Sequence, residues 1–237
     1  MACKDAQFAM CPRNAKLSQV NLDELVTRFP RVWHATFVGG WDSIRHSGLR
    51  SSADLLASVN RSDEAQVMRS ESAEVTTDGG VATLRAQIPN RLDPTPYLDG
   101  ITVADWWQLL NDRSYFYADQ DALDALVTSY AADGIGQEVI SLETRRLLTP
   151  VADNVEVAVV SAGVFPRTSG PSRGRATFQS LGDFAGDSAK IKEITVTTPV
   201  TITDSAVIKV VRFTPGQEPV RIWPPIRAQA NTELAQS

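Results

Sequence analysis

Val32-Trp33-His34-Ala35-Thr36-Phe37, then Gly39-Gly40, then Trp41-Asp42-Ser43-Ile44-Arg45-His46-Ser47-Gly48-Leu49 is the stretch on which the reading of this chain turns. The first six residues are β-branched, aromatic or small, the composition of a strand. The glycine pair makes a turn. Residues 41–46 suit a short helix with Ile44 as its apolar anchor, and Gly48 fits the position just past a helix end. Strand side chains alternate, so His34 and Thr36 share one face while Trp33 and Ala35 share the other. A His and a Thr on one face can hydrogen-bond a sugar hydroxyl or an amide. The competing reading is a buried histidine bonded to a backbone carbonyl.

Working outward, residues 1–20 read as a loose lead-in. Asn21 caps a short helix over 22–29, with Asp23 and Glu24 in its first turn and Pro30 as its stop. Ser51-Ser52-Ala53-Asp54 opens another helix. Residues 58–80 are polar, contain Asp78-Gly79-Gly80, and read as a loop or irregular insertion. Strand composition returns at 81–88. A helix with Trp106-Trp107 covers 103–110, an aromatic strand covers 114–117, and Leu123, Leu126 and Val127 mark an amphipathic helix over 120–130. The second half is β-rich, with strands expected over 138–142, 155–160, 194–203 and 207–214. Between them, residues 165–175 hold Pro166, Gly170, Pro171 and Gly174 with three arginines, a loop. From 227 the chain is a polar tail.

Strands interrupted by helices without βαβ alternation indicate an α+β fold, with one domain over 21–226. No glycine-rich loop runs from a strand into a helix, which excludes P-loop and Rossmann readings.

Of 237 residues, 43% are hydrophobic and 22% charged, which fits a globular domain and argues against global disorder. The only cysteines are Cys3 and Cys11 and the only histidines His34 and His46, too few for a disulfide scaffold or a His/Cys zinc site. No metal is expected. Residues 1–13 carry charges and no apolar run, and no stretch approaches the length of a membrane span, so a cytoplasmic protein without a membrane partner is expected. The net charge of −5 is uneven. Residues 1–160 hold 14 Lys/Arg against 22 Asp/Glu, whereas residues 161–227 hold 9 against 5. A basic C-terminal third suits a phosphate-binding face, or simply reflects scattered surface charge.

The run from Val32 to Leu49 resembles the opening of the DarT-type ADP-ribosyltransferases, with an aromatic-His-x-Thr strand, a short helix with a central Ile, and a closing Gly-Leu. Over residues 30–212 the chain more closely resembles an uncharacterised bacterial domain family. That resemblance is carried by Arg85-Ala86-Gln87-Ile88-Pro89, by Trp106-Trp107, by Asn111-Asp112-Arg113-Ser114-Tyr115-Phe116, and by Ser161 leading to Arg173-Gly174-Arg175-Ala176-Thr177-Phe178.

The transferase resemblance implies an ADP-ribosyltransferase-like fold of two small packed β-sheets with flanking helices, and NAD⁺ as a substrate bound in the cleft between them. His34 and Thr36 would hold a ribose or amide, with Ser51 on the same cofactor side, and Tyr115 or Phe116 would stack. Arg85 would meet a phosphate or steady an acid. The catalytic glutamate is not fixed by the motifs: Glu138 is the best candidate, with Glu143 and Glu156 as rivals. The chemistry implied is at an N-glycosidic bond, where positive charge grows on the sugar.

NAD-dependent ADP-ribosylation of DNA by a toxin or anti-phage effector is the leading expectation, with an antitoxin or other defence protein as a further partner. A DNA glycosylase acting without NAD⁺ is the alternative. In either, Gln87 and Asn111 would read a base edge while Arg167, Arg173 and Arg175 hold DNA phosphates. A non-catalytic nucleotide or nucleic-acid binding module is the third.

Overall fold

The computed structural model describes residues 20–87, 93–165 and 170–224. The expected lead-in, the tail, Ile88, Pro89 and Arg167 lie outside them. Local signals set the first elements. Asn21 Oδ1 accepts from the Glu24 N–H at 2.9 Å and starts α1 (Leu22–Arg28). After Pro30 the chain extends into β1 (Arg31–Phe37) and turns into α2 (Gly40–Ser47). Gly40 cannot carry a side chain, because a Cβ would fall 2.2 Å from Thr36 Oγ1. Gly48 ends α2 at φ +79°, a conformation that disfavours other residues. Ser51 and Asp54 then form a reciprocal capping box at the start of α3 (Ser52–Ala57).

The stretch expected as a loop over 58–80 is more ordered. It contains a 3₁₀ turn at Ser62–Gln66 and β2 (Ala73–Thr77), which pairs with β3 (Gly80–Leu84) as a two-stranded hairpin. Its polar sequence hid it because the hairpin buries one narrow seam, Val75 and Leu84 against Leu56 and Ala65.

The remaining elements are α4 (Val103–Asn111), β4 (Ser114–Tyr117), α5 (Gln120–Ala132), β5 (Gln137–Glu143), α6 (Thr144–Leu148), β6 (Val155–Ala158), β7 (Gln179–Ser180), β8 (Glu193–Val196), β9 (Val207–Phe213) and β10 (Val220–Trp223). The strand expected over 194–203 stops at Val196; Pro199 lacks the N–H a ladder needs.

The fold is α+β, but the sheets are not two packed layers. One eight-stranded antiparallel sheet runs β10-β9-β5-β1-β4-β8-β6-β7, with the hairpin separate. Seven residue pairs join β1 to β5 and four join β4 to β8. A single pair, Trp33 with Tyr117, joins β1 to β4. The sheet is thus two four-stranded halves hinged edge to edge at one rung. One face packs Val32, Phe116, Ile140, Leu142, Ile194 and Val210 against Leu25, Trp41, Leu147 and Leu148. On the other, Trp106, Trp107 and Leu110 of α4 meet Ala158, Phe165 and Phe178, and Tyr130 of α5 meets Phe37 edge-on at 5.9 Å.

Candidate active site at the joint of the sheet

Past the Trp33–Tyr117 rung the two strands share no further pair, and the His34 ring bridges them instead. Its Nδ1 lies 3.0 Å from the backbone carbonyl of Tyr115. A carbonyl only accepts, so Nδ1 carries the proton and Nε2 presents a lone pair. Among the described residues nothing bonds Nε2, and Nε2 is not a sealed, unpartnered atom. Burial pushes the imidazole pKa down to about 4; the Tyr115 carbonyl opposes this and the Arg85 charge adds to it. His34 is therefore a neutral acceptor at any physiological pH. The ring is tied to a backbone carbonyl, as the competing reading has it, and its far nitrogen makes no bond among the described residues.

Arg85 stands just beyond β3. Its Nη2 donates to the Ala35 carbonyl at 3.2 Å and to Gln137 Oε1 at 2.7 Å. Its guanidinium lies 4.3 Å from the Tyr130 ring centroid and 5.0 Å from that of Phe37. Nη1 is buried without a partner, and no carboxylate forms an ion pair with Arg85 among the described residues. The caged cation is one hydrogen bond short, with Nη1 sealed from solvent.

Tyr117 and Glu193 stand on the Trp33 face of the sheet at the same joint. Tyr117 pairs with Trp33 on one side and with Glu193 on the other, so the three lie on one rung crossing the joint. Burial raises the Tyr117 phenol, Arg85 opposes the rise, and Glu193 and Tyr130 add to it. Glu193 is half-buried and forms no salt bridge among the described residues. Burial lifts its carboxyl to about 7, against the Ala162 N–H bonded to Oε2 at 3.2 Å and the Arg173 charge. At the ordinary strand spacing, β8 runs about 10 Å from β1. Strand alternation puts Tyr117 and Glu193 on the Trp33 face of the sheet, where Arg85 is caged against Phe37, whereas His34 belongs to the Val32 face and its ring fills the gap between β1 and β4. A carboxyl titrating near neutrality is able to move a proton.

The other expected residues lie elsewhere or are already engaged. Glu138 is wholly buried: Oε2 accepts from the Trp41 N–H at 2.9 Å, and Oε1 accepts from Arg212 Nε and Nη2 at 2.9 and 2.7 Å. It braces α2 and β9 and presents no free oxygen to a substrate. Glu143 caps α6, and Glu156 is paired with Arg113 at 2.7 Å.

Phe116 is in the core rather than at a stacking surface. Tyr115 donates its hydroxyl to the Leu110 carbonyl at 3.1 Å, and only its backbone meets His34. Thr36 packs on Gly40, and Ser51 is engaged as a helix cap. Gln87 and Asn111 bond each other at 3.0 Å, and Asn111 also bonds the Ala65 carbonyl, so neither amide is free for a base edge. Arg173 is buried and donates to the carbonyls of Pro171 and Val164, so it holds its own loop rather than a phosphate. Arg175 is exposed.

Sequence reasoning missed Glu193 and Tyr117 as site residues. The signal was faint: a carboxylate as the first residue of the apolar strand Glu193-Ile194-Thr195-Val196. A separate polar cavity of about 300 Å³, lined by His46, Ser47, Arg50, Thr76 and Asp78 among others, opens between α2 and the hairpin and shares no residue with this cluster.

The architecture defines an α+β domain whose antiparallel sheet is split at one rung. The chain matches the model of DUF7002, a family of unknown function, over residues 30–207, and belongs to that family. No curated protein and no solved structure gives a significant match. Among the described residues no helix is long and apolar enough to cross a membrane.

Proposed function

We propose that this protein is an ADP-ribosyltransferase-fold enzyme that breaks the nicotinamide–ribose bond of NAD⁺ and transfers ADP-ribose to DNA. The observation that carries the reading is the split sheet: a His-x-Thr strand borders a joint closed by one residue pair, and His34 Nε2 makes no hydrogen bond among the described residues. This agrees with a substrate cleft between two half-sheets, as the DarT-type resemblance implies.

In this reading His34 Nε2 accepts a ribose hydroxyl, and Arg85 supplies positive charge toward the phosphates. Tyr117 lies against the departing nicotinamide. As the C1′–N bond breaks, its electron pair leaves with nicotinamide and positive charge grows on the ribose. Ionised Glu193 offsets that charge. A nitrogen of the acceptor base forms the new bond to C1′, and its proton passes to Glu193 and then to water. Glu193 thus takes the role that sequence reasoning offered to Glu138.

DNA as acceptor rests on the resemblance and on the exposed Arg175. The engagement of Gln87 and Asn111 inside the fold disfavours a glycosylase that reads a flipped base. The test is incubation with adenylate-labelled NAD⁺ and DNA. Label on DNA together with free nicotinamide supports the proposal. NAD⁺ cleavage without labelled DNA rejects the acceptor, and abasic sites formed without NAD⁺ reject the transferase in favour of the glycosylase.

A further inference from the structure

Residues 85–87 follow β3 and belong to no strand, yet they carry Arg85, the cation of the candidate site. A backbone segment outside a ladder needs other partners to keep one conformation. Here a second arginine supplies them. Arg69 Nε donates to the Arg85 carbonyl at 3.0 Å. Its Nη2 reaches Asn111 Oδ1 on α4 at 3.1 Å and Ser52 Oγ on α3 at 3.4 Å. Its main chain pairs with Gln87 in both directions: Gln87 N–H to the Arg69 carbonyl at 2.7 Å, and Arg69 N–H to Gln87 Oε1 at 3.2 Å.

Arg69 is half-buried and forms no ion pair among the described residues. A desolvated cation bonded only to neutral acceptors costs stability unless its geometry serves something else. Its planar fork joins three segments at once, which a lysine ammonium does not reproduce.

We propose that Arg69 is a positioning residue: it clamps the 85–87 segment to α3 and α4 and so fixes the Arg85 guanidinium beside the β1–β4 joint. The proposal deepens the reading of that site as the catalytic one, but its test does not need activity. His34 reports where the Arg85 charge sits, because that charge helps depress the imidazole. The other groups around the ring are the Tyr115 carbonyl and the Phe116 ring on β4, with the Tyr117 phenol next along that strand. On β5 the nearest carboxylate is Glu138, already neutralised by Arg212.

The experiment is an NMR titration of the His34 ring in the full chain. With only two histidines, His46→Gln assigns the signals. In Arg69→Met the His34 midpoint should rise above about 4, as in Arg85→Met, and stay below the ordinary 6.5 because burial, the larger cause, remains. Arg69→Lys, which keeps the charge and loses the fork, should show a smaller rise and covers the case in which Arg69→Met does not fold. An unchanged His34 midpoint in folded Arg69 variants overturns the clamp, as does an unchanged midpoint in Arg85→Met. A wild-type chain inert toward NAD⁺, with the midpoints moving as described, rejects the transferase reading and leaves the clamp standing.

Discussion

Replacing Glu193 by Gln should abolish activity and stabilise the protein at the same time. The folded carboxyl is raised from the ordinary 4.5 to about 7. Between those values the native state keeps a proton that the unfolded chain has released, so stability falls as pH rises through that window. At about 1.4 kcal/mol for each pH unit, the full difference is about 3 kcal/mol above pH 7. The carboxyl is only half-buried, and solvent screening trims the expected effect to about 2 kcal/mol. Glutamine has nearly the same shape, keeps an acceptor for the Ala162 N–H, and carries no charge at any pH. Urea unfolding of wild type and Glu193→Gln at pH 4.5 and pH 8 measures the difference. The two proteins should match at pH 4.5, and the variant should lead by about 2 kcal/mol at pH 8, with a higher midpoint at unchanged slope. A Glu193→Gln protein that is equal or weaker at pH 8 would refute the reasoning, because the carboxylate would then be a structural partner rather than a strained functional group.

Glu138→Gln should behave in the opposite way, losing about 2–4 kcal/mol because Arg212 loses its partner and an amide NH₂ confronts donors; a loss under about 1 kcal/mol in urea would reject its bracing role. His34→Ala should remove label transfer from NAD⁺ while circular dichroism shows a folded chain, with a lowered melting temperature because the Tyr115 carbonyl loses its partner; full activity in that variant would remove His34 from the site. The rate of wild-type transfer should climb through pH about 7 as Glu193 ionises, His34 being neutral throughout; a rate that stays flat or falls as pH rises through that region would contradict the assignment. Arg175→Ala should lower the salt slope of DNA binding by about 0.9 for one lost phosphate contact, whereas Arg173→Met should weaken folding; an equal effect of both on the salt slope would show that Arg173 also reaches the DNA.

Much of the local structure was legible. Asn21 and the Ser51/Asp54 box announced their helices, because a cap is a contract between residues three apart. The period of two put His34 and Thr36 on one face, and the aromatic run at 114–117 gave β4. Membership of a domain family was readable from motif order over residues 30–212, and the family model covers 30–207. The roles of individual polar residues were not legible. Glu138 and Glu193 both sit at the start of apolar strands, yet one is saturated by Trp41 and Arg212 and the other is left half-open.

The chain by itself determined the α+β class, the strand that carries His34, and the caps that start its first helices, since these depend on neighbours within a few residues. The tertiary structure decided which carboxylate is saturated and which is left without an ion pair among the described residues, and which arginine is caged by rings and which is buried among carbonyls. Those outcomes depend on pairings such as Tyr117 with Glu193 and Thr36 with Glu138, between strands far apart in sequence. A shift of one residue in any of those registers would turn each side chain to the opposite face.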